Sequence, residues 1–139
     1  MSDVIEKKLG QMKLFTERTE KLLAVSFDEF RGDTTRIAAA ERNFQLLIDL
    51  ASDVNAQILV EKYGQTPDTY RQTFTQLGQE KIISHELTEQ LIRGVQIRNI
   101  LVHEYDFEED YEKFYYAAKE FLPAFQEYMQ TIYQYIQVR

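Results

Sequence analysis

Apolar residues recur three or four positions apart along most of the chain, and no stretch alternates as a half-buried strand would. Ile5, Leu9, Met12, Phe15, Thr19 and Leu22 predict a first helix over about 3–25, with Asp3 and Glu6 resembling a capping box. Asp33 is a suitable N-cap for a second helix. Its stripe runs through Ile37, Ala40, Phe44, Leu47, Ile48, Ala51, Val54 and Ile58 to a stop at Gly64. A short third helix is predicted from Thr66-Pro67, with Tyr70, Phe74 and Leu77 on one face and Gly78 as its end. Ser84 caps a fourth, marked by Leu87, Leu91, Val95, Ile97, Leu101 and Val102. The fifth starts near Asp106 and buries Tyr111, Phe114, Ala118, Phe121, Leu122, Phe125, Met129, Ile132 and Ile136, with a kink expected at Pro123. Four long amphipathic helices on short connections predict an all-α, up-down four-helix bundle with an additional short helix. Residues 26–33 form the one roomy loop.

Length and composition narrow this picture. The 139 residues suit a single helical domain spanning 1–139, and 44% hydrophobic residues argue against disorder. No apolar run approaches the roughly 18 residues of a membrane span. The N-terminus lacks the basic start and apolar stretch of a signal peptide. The absence of cysteine excludes disulfides and thiolate zinc sites and suits a reducing cytosol, so a cytoplasmic location is expected. The net charge of −7, from 16 basic and 23 acidic residues, is the opposite of a broad nucleic-acid-binding surface. Contact with RNA would need a local basic pocket or a surface completed by a second subunit. Arg42, Arg71, Lys81 and Arg93 are candidates for such a rim.

One position breaks the fourth helix's apolar stripe. Arg98 falls in line with Leu91, Val95 and Val102, where a guanidinium needs a partner or a cleft. Asn99 and His103 are four apart and share a face; Arg98 and Tyr105 are seven apart and share another. Arg98 and His103 stand about 140° apart on an ideal helix. They converge if the helix loosens near His103, if long side chains reach round a cleft, or if a second copy faces the segment. Two readings stand at this point. Either Arg98 pairs with a carboxylate such as Glu41 and His103 and Tyr105 merely finish a helix, or the segment is a site of guanidinium, imidazole and phenol.

Arg98-Asn99-Ile100-Leu101-Val102-His103-Glu104-Tyr105 resembles the signature of HepT-like toxins in the HEPN superfamily: arginine and a polar residue, then histidine, one further residue and tyrosine. Glu41-Arg42-Asn43-Phe44-Gln45 is similar to the family's Glu-Arg-x-x-Gln element. The Thr66-Pro67 turn, the Tyr70–Phe74 helix and the Ile82-Ile83 step also match the layout, so the resemblance covers most of the chain. It implies a metal-independent endoribonuclease of the HEPN/MNT (type VII) toxin–antitoxin class, acting on RNA as a homodimer and using no cofactor and no metal. Arg98 and His103 would be catalytic, with Arg98 stabilising charge and His103 moving protons. Asn99 would support them by orienting His103 or a phosphate. The implied partner is a minimal nucleotidyltransferase antitoxin of the MntA type, which transfers AMP to Tyr105. Two rivals use the same segment or none: a non-catalytic module that docks a nucleotidyltransferase, and a purely structural helical dimer.

Other features read as structure. The acidic run Glu104, Asp106, Glu108, Glu109 and Asp110 either complements the dipole of the fifth helix or holds a hard cation. His85 is expected at an exposed helix start. Gly94 either admits a close neighbour or is merely tolerated. Tyr115, Tyr116, Tyr128, Tyr133 and Tyr135 read as packing rather than base stacking. No Gly-rich phosphate loop, Gly-x-Ser-x-Gly elbow or zinc spacing is present.

Overall fold

The computed structural model describes the backbone of residues 2–103 and 107–138 and the side chains of residues 3–102 and 111–138. Six helices are described: α1 Ser2–Leu22, α2 Phe27–Arg31, α3 Thr34–Tyr63, α4 Tyr70–Gln79, α5 His85–His103 and α6 Phe107–Gln137. Each long helix packs on two others: α1 on α3 and α6, α5 on α3 and α6. These four make the expected all-α bundle. The two short helices bridge neighbours, α4 between α3 and α5, and α2 between α3 and α6. The expected stripes line the interior, including all eight predicted residues of α3 and an unbroken run from Phe114 to Ile136 on α6.

The helix ends follow from local chemistry. Asp33 Oδ1 accepts from Arg36 N at 3.0 Å and caps α3. The Arg36 guanidinium turns back to the carbonyls of Lys21 and Leu22 at 3.3 and 3.1 Å, satisfying the orphan acceptors that end α1. Gly64, at φ 62°, closes α3 in the left-handed conformation, and its N–H and that of Gln65 return to Val60 and Leu59. Ser84 Oγ accepts from Leu87 N at 3.1 Å, as an N-cap of α5 should.

Several boundaries differ from the pattern-based expectation. The loop at 26–33 holds a helix of its own, α2, capped by Ser26. Phe27 and Phe30 clamp it to α6, with ring centroids 5.5 and 5.1 Å from Tyr115. Helix α4 begins at Tyr70 rather than at Thr66-Pro67, because the Thr69 hydroxyl, accepting from Gln72 N at 3.1 Å, is the cap. Helix α4 also runs past Gly78; the turn after it is made by Lys81, at φ 60°. Gly78 is needed for proximity instead, since a Cβ there would sit 2.5 Å from Thr88 Oγ1 on α5. Helix α1 ends at Leu22, not near Val25, and α6 continues unbroken through the exposed Pro123.

A buried polar bridge ties α3, α4 and α6 together. Tyr128 donates to Asn55 Oδ1, and Asn55 Nδ2 donates to Thr73 Oγ1 at 3.2 Å. Burial pushes the Tyr128 phenol well above its ordinary range, so the hydroxyl is a fixed donor.

Candidate functional site

The signature segment occupies the last turns of α5. Regular α-helix holds through Val102 and ends at His103, so the Arg98 and His103 positions keep their angular separation of about 140°. The helix does not loosen before His103, and residues 104–106, which follow it, lie outside the described residues. The side chain of His103, all of Tyr105, Glu104 and Asp106, and the side chains of Glu108, Glu109 and Asp110 lie outside the described residues.

Arg98 is seated between α3 and α4, with its side chain only 19% exposed. Its Nε lies 3.4 Å from Asp49 Oδ1 on α3. Both atoms are shielded from solvent, yet no hydrogen bond satisfies either among the described residues, so this is a contact ion pair without the aligned geometry of a fork. The guanidinium carbon stands 4.5 Å from the centroid of the Tyr70 ring on α4, a cation–π distance. Nη1 reaches Asn99 Oδ1 at 3.3 Å. The carboxylate expected for Arg98, Glu41, lies eight residues earlier in α3 than the Asp49 observed against it.

The Tyr70 phenol is raised above its ordinary value. Burial is the main cause, followed by the interaction of its hydroxyl with Asp49, by the charge of Asp49 and by that of Asp53; the Arg98 charge opposes them. Tyr70 thus stays a neutral donor beside an acid. Asp53 in turn meets Lys8 of α1 at 3.5 Å. The site rests on a short charged line from α1 through α3 and α4 to Arg98. Asn99 and Ile100 face solvent beside it.

The structure brings Asn99 to Arg98, whereas the sequence reading gave Asn99 to His103 or a phosphate, and it adds two residues that pattern reading passed over. Tyr70 looked like one more core aromatic. Asp49 sits between the buried Ile48 and Ala51 on α3 with nothing to set it apart from other acids of that helix. The one available signal was reciprocal: a buried arginine demands an acid on a neighbouring stripe.

The comparisons with known proteins complete the assignment. Residues 12–132 match the family described as ribonuclease HepT-like. The chain belongs to this family. Among its curated relatives, a tRNA nuclease HepT of Aphanizomenon flos-aquae is 30% identical over 74% of this chain and 70% of its own length. An mRNA nuclease HepT of Shewanella oneidensis is 30% identical over 76% of this chain and 78% of its own. The tri-AMPylated Shewanella oneidensis HEPN toxin, solved in complex with an MNT antitoxin, superposes with a TM-score of 0.85 at 25% identity, covering 95% of this chain and 98% of that one. The HEPN-like reading of family and fold is borne out, and with it the assignment of the chain as a HepT-like toxin ribonuclease.

His85 is exposed and faces Glu89 at 3.2 Å, in keeping with a solvated helix start. Tyr115 and Tyr128 are core residues, whereas Tyr116 and Tyr133 are about half exposed. No described helix is long and apolar enough to cross a membrane.

Proposed function

We propose that Arg98 and His103 are the reacting groups of a metal-independent RNA cleavage and that Tyr105 is the residue AMPylated by a cognate MntA-like nucleotidyltransferase. The observation that carries this reading is the seat of Arg98. A half-buried guanidinium held by an acid and an aromatic ring, in the last turns before His103, is costly for stability and useful for phosphate chemistry.

In strand cleavage the 2′-oxygen bonds to phosphorus as the bond from phosphorus to the 5′-oxygen breaks. The 2′-hydroxyl proton must go to a base, and the departing 5′-oxygen must receive one. Imidazole titrates near neutrality and serves either step, which assigns proton transfer to His103. Negative charge gathers on the phosphoryl oxygens in the transition state, and the permanent charge of Arg98 offsets it. Asn99, already bonded to Arg98, holds the guanidinium or a phosphate oxygen. A homodimer would supply two copies of the segment, so that one His103 can act as base while the other acts as acid. That arrangement also removes the obstacle set by the 140° separation within one chain. RNA and antitoxin would both be met in the cytoplasm.

AMP on the Tyr105 phenol would place a phosphodiester charge and a nucleoside two residues from His103, where substrate phosphate must lie. The Shewanella oneidensis toxin, AMPylated and bound to its MNT antitoxin, supports the same logic for this chain. Co-expression with the cognate nucleotidyltransferase should add AMP mass to the peptide bearing Tyr105, and the modified protein should no longer cleave RNA. A Tyr105 peptide that stays bare, or AMP on another residue, contradicts the assignment.

A further inference from the structure

A polar groove runs between α4 and α5, walled by Arg71, Thr75 and Gln79 on one side and by His85, Arg93 and Gln96 among others on the other. Its floor is pinned where Gly78 meets Thr88. Arg71 and Arg93, two of the four basic residues singled out from the sequence, thus share one groove; Arg42 and Lys81 do not line it. The groove's one carboxylate, Glu89, is turned to His85 Nε2. In a chain of net charge −7, this is a local site of positive charge.

The groove also points along α5 toward the signature. His85 and His103 are eighteen residues apart, five full turns, and Glu89, Ile92 and Gln96 lie between them on the same stripe. The α5 wall therefore leads to the helical face on which the His103 position falls. From Arg93 to His103 the rise is roughly 15 Å, a span of a few nucleotides.

We propose that the α4–α5 groove is a substrate track, in which Arg71 and Arg93 hold phosphates of the RNA strand a few nucleotides from the bond cleaved at His103. The track rests on the ribonuclease reading of the preceding section. Its role is binding: the arginines contact backbone phosphates, so they add affinity without sequence preference. Gln79 and Gln96 supply neutral hydrogen-bonding groups along the same walls.

The test uses the full chain with a fluorescent single-stranded oligouridine for binding and a labelled RNA for cleavage. The double variant Arg71→Gln/Arg93→Gln should bind the oligonucleotide more weakly, by about tenfold, and flatten the salt dependence of binding by roughly 0.7 in logarithmic slope for each phosphate no longer neutralised. In cleavage the loss should fall on KM rather than kcat. Glu89→Gln, which removes the groove's one acid, should bind RNA more tightly than wild type, a gain that damage to the fold cannot produce. A wild type that cleaves RNA, with unchanged KM and salt slope in the double variant, overturns the track and leaves the ribonuclease reading standing. Loss of nucleotidyltransferase docking with RNA binding intact overturns it in favour of a protein interface. A wild type that neither binds nor cleaves RNA overturns both.

Discussion

At the scale of single residues, the site is a problem of holding one arginine. Arg98 carries a permanent charge into a half-buried position, and Asp49 and Tyr70 make that tolerable: one supplies opposite charge at 3.4 Å, the other a π face at 4.5 Å. The sequence already showed the arginine, because it interrupts an apolar stripe. It did not show the partners, because an acid and a tyrosine on other helices have no local signature; only the packing of α3 and α4 on α5 brings them in. If Asp49 positions the guanidinium, Asp49→Asn should lower kcat by about ten- to a hundredfold while the protein stays folded and KM is little changed, since an ångström of misplacement costs that much. Arg98→Ala should lose more, because the charge itself is gone. Steady-state cleavage kinetics with circular dichroism as a folding control would check both, and full kcat in Asp49→Asn would show that the ion pair is only structural.

At the scale of elements, periodicity located every long helix, because 3.6-residue spacing survives wherever a stripe is buried. Five-residue α2 escaped, being shorter than two turns, although Ser26 with Phe27 and Phe30 was visible. Residues that look like punctuation were the least legible. Gly64 ends a helix as expected, whereas Gly78 and Gly94 are there for close approach. A Cβ at Gly94 would fall 2.2 Å from the Phe121 ring, so α5 and α6 touch at this point. Gly94→Ala gains about 1 kcal/mol of helix propensity but overpacks the interface, at a cost of roughly 1–3 kcal/mol. The expected outcome is a lower melting temperature that Phe121→Leu, by making room, partly restores. An alanine variant as stable as wild type would mean that α6 shifts without cost.

At the scale of the whole molecule, fold and family were legible together, since the order of helices and the placing of Arg98, Asn99, His103 and Tyr105 at the end of the fourth predicted helix repeat the HepT-like layout. Composition alone suggested an acidic protein poorly suited to RNA; on the proposed track local charge counts rather than the total, with Arg71 and Arg93 lining one groove between α4 and α5. The regular α5 keeps the Arg98 and His103 positions on different faces, the separation that the proposed second copy of the chain would bridge. In the proposed chemistry His103 moves the protons of RNA cleavage without a metal. This role is tested most directly by following cleavage of a labelled RNA, in excess chelator, by purified unmodified wild type and His103→Ala protein of equal helicity. The expected result is cleavage by the wild type and a rate at least about a hundredfold lower for His103→Ala; cleavage at the wild-type rate by the variant, or none by the wild type, would contradict this role of His103.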